Sequence, residues 1–202
     1  MKKHIIRNTK QIKISLAGGK KVTPIIIDKA KGIVTKRVNN NGLDWLNNHF
    51  DYYKLYQEYN PDALKLYDRV GTDGYSMEYI PNIGTLADWL AERNLRDESL
   101  TTDIKDKLLK VLVDQFEIGT EQFSTAIPDQ KDTTNLWIYN DLQLSNVLVT
   151  PNEEFKLIDI DSWYVKTVHP DEVWRKKAIC HTRINEVMVT MTSIFKRENL
   201  NP

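Results

Sequence analysis

Residues 139–163 read YNDLQLSNVLVTPNEEFKLIDIDSW, and this stretch decides how the rest of the chain is read. It sets Asp141, Asn146, Asp159 and Asp161 beside the apolar runs VLV and KLI. A charged side chain among apolar neighbours is costly unless it is paired, hydrogen-bonded or bound to a metal. Two readings follow. Either these residues are solvated turns that cap a hairpin, or they face one cleft and do chemistry there.

The local pattern favours convergence. WIYND, NVLVT and FKLIDI read as short strands split by turns, with Pro151-Asn152 as the tightest. A turn holding Asp141 and Asn146, facing a hairpin that delivers Asp159, gathers oxygen acceptors at one point. Such hard ligands suit Mg²⁺, which prefers carboxylates and phosphates. A free carboxylate beside them could take the proton of an attacking hydroxyl. In that arrangement the trio is the working part of a phosphoryl-transfer site.

Outward from this stretch, residues 11–38 read as three strands, with Gly18-Gly19 and Lys31-Gly32 as turns, and NNNG at 39–42 breaks the run. Leu43, Leu46, Phe50, Tyr53 and Tyr56 keep a helical spacing, which predicts one amphipathic helix over residues 43–59. LKLYDRV and YSMEYI predict a hairpin turning in the 71–74 segment. Helices are expected over 85–94, 102–123 and 171–196, with a polar loop at 124–135 and another after residue 161. The order suggests an α+β chain in two lobes: residues 1–80 as a sheet with one helix, and residues 81–202 as a mostly helical part.

Composition excludes several classes. Twenty-eight basic residues balance 28 acidic ones, so no global field calls for nucleic acid or an anionic membrane. No apolar run reaches the roughly 18 residues of a membrane span, and no long apolar stretch follows the basic start MKKHIIRNTK. One cysteine, Cys180, makes a reducing compartment the default, and a cytoplasmic protein is expected, with secretion as an effector left open. His4, His49, His169 and His181 are scattered without ligand spacing.

The passages above resemble the protein-kinase-like superfamily, which includes protein kinases and the aminoglycoside and choline phosphotransferases. YNDLQLSN is similar in spacing to the catalytic loop H-R-D-L-x-x-x-N, and LIDID to L-x-D-F-G. The passage NPDALKLYDRVGTDGYSMEYIPNIGTLADWL looks like the family's hinge region, and GIVTKRV sits where the family has its lysine-bearing strand. The resemblance implies a two-lobed fold that binds ATP and Mg²⁺. It implies Asp141 as catalytic base, Asn146 and Asp159 as metal ligands, and Lys36 on the α- and β-phosphates. Strand alternation puts Lys36, not Arg37, on the face of Val34. The family spacing makes Asp51 the helix partner of Lys36, an Asp where the family uses Glu. Met77 would be the gatekeeper, while the carbonyl of Glu78 and the N–H of Ile80 would meet adenine. Gly18-Gly19 would cover the phosphates, although SLAGGKKV lacks the glycine-loop pattern.

Departures from the family are equally legible. Tyr139 and Asn140 replace His and Arg, Gln143 stands where relatives place Lys or His, and Ile160-Asp161 replaces Phe-Gly. Asp161 is expected as a further metal ligand. Residues 162–202 leave room for a loop and one helix, which resembles the miniature kinases among bacterial type III effectors. The expected activity is transfer of the γ-phosphoryl group to a protein hydroxyl, Ser/Thr ahead of Tyr. The alternatives are a small-molecule phosphotransferase and a pseudokinase that serves as a binding module.

Overall fold

Five strands rich in β-branched and aromatic residues form the first sheet. Thr9–Ile12 (β1), Ile25–Asp28 (β2), Ile33–Arg37 (β3), Leu66–Arg69 (β4) and Gly74–Glu78 (β5) lie in the order β1-β2-β3-β5-β4, antiparallel throughout. The computed structural model describes residues 9–12, 25–96 and 100–196, so Gly18-Gly19 lie outside the described residues. The β2–β3 turn closes with the Asp28 carbonyl accepting from Lys31 N–H at 3.2 Å. Gly32 ends that turn at φ 67°, a conformation that a side chain disfavours. In the β3–β5 register Val34 opposes Met77 and Lys36 opposes Tyr75. Directly opposed residues share a face of the sheet, so Lys36 and Tyr75 project together.

The helix expected over 43–59 is two helices, Asn40–Asn48 (α1) and Phe50–Tyr59 (α2), broken at His49. Asn47 and Asn48 precede the break, and Asn is a weak helix former that competes for backbone partners; Asn48 donates to the Asp44 side chain at 2.7 Å. The apolar spacing survives the break, and Leu46, Phe50, Tyr53 and Tyr56 are all buried. NNNG ends the strand run, as expected, and also starts α1, where the Asn39 side chain accepts from Gly42 N–H at 3.2 Å.

Gly84–Thr85 (β6) leads into Leu86–Leu95 (α3), which opens on a capping box between Thr85 and Asp88. Thr102–Glu117 (α4) continues as a wider π-helical turn, Ile118–Phe123. Thr134–Tyr139 (β7), Val147–Val149 (β8), Phe155–Leu157 (β9) and Trp163–Val168 (β10) follow, then Val173–Lys196 (α5). Strands β6, β8 and β9 form one small sheet, and β10 pairs antiparallel with β7. β10 occupies a segment expected as loop; the β-branched and aromatic run WYVKTV finds a partner edge in β7. The result is a mixed helix-and-strand chain with several small antiparallel sheets. Among the described residues no helix is long and apolar enough to cross a membrane.

The core is aromatic. Trp137 and Trp163 stack at 5.8 Å between ring centroids with their planes 12° apart, and Tyr56 lies 4.9 Å from Trp163. Gly119 in the π-helical turn lets this stack close: a Cβ there would stand 2.9 Å from the Trp163 ring. From α1, the Trp45 indole N–H donates to the Trp163 carbonyl at 2.5 Å. α1 and the segment ending in Trp163 are thereby fixed to one another.

Gly42 has a packing role that its helix position conceals, since an added Cβ would lie 2.5 Å from the Val38 Cβ. Alanine ordinarily exceeds glycine by about 1 kcal/mol inside a helix. Gly42→Ala is expected to destabilise instead, by about 1–3 kcal/mol, the usual cost of overpacking. A urea midpoint equal to or above wild type would contradict this.

Candidate functional site

The site is assembled at the open end of the β8–β9 hairpin. Val147 opposes Leu157 and Val149 opposes Phe155, and Ile158 N–H donates to the Asn146 carbonyl at 2.8 Å. Asn146 therefore stands across from Ile158 and beside Asp159. Asp159 adopts φ 63° and ψ 56°, left-handed backbone that Asp tolerates better than most residues. The chain then makes a 3₁₀ turn over Ile160–Ser162, with Ile160 buried. Asp159 and Asp161 flank that anchor, and both reach β3.

They meet Lys36. Its ammonium donates to Asp159 Oδ1 at 2.5 Å and to Asp161 Oδ1 at 2.6 Å. The side chains are only 14%, 28% and 15% exposed for Lys36, Asp159 and Asp161. The Tyr75 hydroxyl donates to the same Asp161 oxygen at 3.0 Å, and the Ser162 hydroxyl to Asp159 Oδ2 at 2.8 Å. One ammonium between two carboxylates divides them. Burial opposes ionisation of Asp159, but the charge and hydrogen bond of Lys36 outweigh it and hold that carboxyl below its usual range. Burial dominates at Asp161 and the neighbouring Asp159 carboxylate adds to it, so its pKa is raised despite Lys36. Burial works against the Lys36 charge, yet Asp161 and Asp159 together lift its pKa above the ordinary value.

Asp141 sits in a different environment. It is exposed, just before the 3₁₀ turn Leu144–Asn146. Gln143 Nε2 donates to Asp141 Oδ2 at 2.8 Å, and Asn146 Nδ2 donates to the same oxygen at 3.1 Å and to the Asp141 carbonyl at 2.8 Å. Among the described residues Asp141 Oδ1 accepts no hydrogen bond, and neither does Asn146 Oδ1. Half-buried Tyr139 links the two halves, its hydroxyl donating to the Ile158 carbonyl at 2.6 Å. Burial first, then Asp159, Asp141 and Asp161, push its pKa up, so one hydroxyl feels all three carboxylates.

Other expected residues divide. Met77 is half-buried against the core, opposite Val34. Glu78 is tied to β4's approach, accepting from Lys65 N–H at 2.7 Å through Oε1. Among the described residues the Ile80 N–H has no acceptor, while its carbonyl accepts from Asn82 at 2.8 Å. Asp51 is not brought to Lys36. α2 turns Phe50, Tyr53 and Tyr56 inward and leaves Asp51 88% exposed, 3.7 Å from Arg69. Tyr75 and Ser162 are additions that sequence reasoning missed. Strand alternation in GYSME marks Tyr75 once its register with Lys36 is known; Ser162 carries only the weak signal of a hydroxyl three residues after an Asp. Cys180 is a half-buried thiol whose pKa burial raises.

The donor set fits a hard cation. Among the described residues Lys36 is the one cation bonded to either carboxylate, so a negative charge is left over for a second. Among the described residues no three His, Cys, Asp or Glu gather as a metal site; a metal would be held by Asp159 with the carboxamide oxygen of Asn146. Oxygen donors of this kind suit Mg²⁺. No protein-family model and no curated protein matches the chain.

Lys36→Met tests the electrostatics. Removing one partner of a buried ion pair costs about 3–5 kcal/mol, and here it leaves two facing carboxylates. Burial then raises both folded pKa values above the unfolded ones, so their contribution to stability is present at low pH and lost as pH rises through the folded values. The deficit of Lys36→Met against wild type is expected to be largest near pH 7.5 and to shrink toward pH 5. Thermal unfolding that shows a pH-independent gap would refute the charge account.

Proposed function

We propose that the chain is a minimal kinase-like phosphotransferase, in which residues 1–80 and 81–202 form two lobes that hold ATP and Mg²⁺ between them. The observation that carries this reading is the meeting of Lys36 with Asp159 and Asp161, 123 and 125 residues away, beside an Asp141 that two carboxamides orient. Four passages that resemble the kinase family in order supply residues to that one place. Lys36 would hold the α- and β-phosphates, and the Ile80 N–H is available to adenine at the rim.

The chemistry follows from the oxygens left free. Asp141 Oδ1 takes the proton of an acceptor hydroxyl as its oxygen attacks the γ-phosphorus. The bond between that phosphorus and the bridging oxygen breaks, and ADP leaves with the electron pair. Bound by Asp159 and Asn146, Mg²⁺ would supply neutralisation of phosphate charge. Gln143 and Asn146 both bond Asp141 Oδ2 on an exposed residue, which leaves Oδ1 for the hydroxyl of a protein side chain. A protein acceptor is the reading taken here, because the hinge-like passage resembles protein kinases more than aminoglycoside enzymes.

A pseudokinase is the second reading, and one observation favours it: the Lys36 ammonium is closed on both carboxylates, where it competes with metal and phosphate. Thermal shift separates the two. ATP at about 100 times its dissociation constant adds roughly 2.7 kcal/mol of stability, and wild type is expected to show this with Mg²⁺ present. No shift at any ATP or Mg²⁺ concentration would leave only the binding-module reading.

Two variants probe the roles. Asp159→Ala is expected to remove the Mg²⁺ dependence of nucleotide binding while the chain still folds, since Lys36 retains Asp161. Asp141→Asn is expected to lower γ-phosphoryl transfer by about 10²–10⁴-fold with ATP affinity nearly kept. Radiolabelled ATP with a cell lysate supplies the assay, and transfer at the wild-type rate would remove Asp141 from the mechanism.

A further inference from the structure

Asp51 does not meet Lys36, yet the Lys36 ammonium is held at two points. We propose that Asp161, fixed in place by the Tyr75 hydroxyl, is the standing anchor of Lys36: a positioning pair that takes the part expected of a helix carboxylate and leaves Asp159 for the metal. The inference rests on the phosphotransferase reading for the roles of Lys36 and Asp159; the anchor itself rests on geometry.

Three observations converge on this pair. Lys36 and Tyr75 are directly opposed across β3 and β5, so both reach the same point above the sheet. They donate to one oxygen, Asp161 Oδ1, at 2.6 and 3.0 Å. Tyr75 is fully buried, which gives its hydroxyl a fixed place in the core. Asp159 is the more exposed carboxylate, and its second oxygen accepts from Ser162 within its own turn, with no strand residue among those described bonded to it besides Lys36.

Helix α1 enters through packing instead of charge. The Tyr75 ring lies 5.4 Å from that of Trp45, and the Trp45 indole holds the Trp163 carbonyl. One aromatic pair therefore grips the 3₁₀ turn at both Asp161 and Trp163. With metal and nucleotide bound, Asp159 would be the residue that holds the metal, while Lys36 would keep Asp161 and stay aimed. A carboxylate from α1 or α2 is not required.

The test uses the full chain and two variants with separate readouts. Tyr75→Phe keeps the ring and removes the hydroxyl; ATP affinity is measured by calorimetry with Mg²⁺ and again in a chelator. The expected loss is about tenfold, the scale of one hydrogen bond to a charged group, equal in both buffers, with kcat retained. A loss confined to the Mg²⁺ buffer would make Asp161 a metal ligand and overturn the proposal, as would affinities equal to wild type. Asp161→Asn is read without nucleotide, through acylation of Lys36 by an amine-reactive reagent followed by peptide mass spectrometry. Labelling is expected to rise several-fold, and more than in Asp159→Asn; an unchanged rate overturns the anchor. Should wild type bind no ATP in either buffer, the phosphotransferase reading falls by itself, and the labelling result still decides whether Asp161 anchors Lys36.

Discussion

An ammonium shared between two partly buried carboxylates is the constraint around which this fold is organised. Charges a few ångströms apart near a protein surface interact by about 4 kcal/mol, and partial burial removes solvent that would otherwise weaken the attraction. Lys36 can neutralise one carboxylate fully, not two. The opposite displacements of the Asp159 and Asp161 pKa values express that shortage. The pair cannot relax by moving apart, because Ile160 between them is buried and the turn that carries them is fixed on either side.

What fixes it is the aromatic core beneath. Residues more than 120 positions apart are brought within hydrogen-bond distance, which only a rigid support can sustain against chain entropy. The support runs from β3 into α1, through Trp45 to the Trp163 carbonyl, and from Trp163 into the stack with Trp137 and Tyr56. Gly119 is part of the same device, since its missing side chain admits the Trp163 ring. Polar and aromatic parts are thus one unit: the turn that presents the acids begins at Asp159 in left-handed backbone and ends on the core's central tryptophan.

Much of this was legible in the sequence, and the losses have physical causes. The face of Lys36 was readable from strand alternation, and Asp159 and Asp161 from the likeness of LIDID to L-x-D-F-G; the structure brings the three side chains together. The helices expected over 85–94 and 102–123 were readable from their pattern, and the structure places α-helices at Leu86–Leu95 and Thr102–Glu117, each opened by a threonine cap. The break at His49 was not, because the buried stripe of Leu46, Phe50, Tyr53 and Tyr56 runs across it without a change of period. Asp51 failed for a related reason. Its spacing along the helix was right, but spacing does not say which face packs, and the aromatic residues took the inner one. β10 was hidden because its pairing edge, β7, lies more than twenty residues upstream. Tyr75 required a cross-strand register, which no local pattern encodes.

The same residue type occupies two electrostatic environments here, and the difference separates what each can do. Asp159 and Asp161 are enclosed and share a cation, so their charge is committed to holding something positive. Asp141 is exposed, and its neighbours are neutral carboxamides that orient it without cancelling its charge. A carboxylate committed to a cation is a poor proton acceptor, while one steered by amides keeps an oxygen open. Environments that divide acids in this way are how enzymes assign separate roles to like groups. Tyr139 joins the two without equalising them: its hydroxyl, spent on the Ile158 carbonyl, cannot neutralise any of the three acids it feels. Among the described residues the two enclosed carboxylates thus share one ammonium, while Asp141 keeps its charge apart from it.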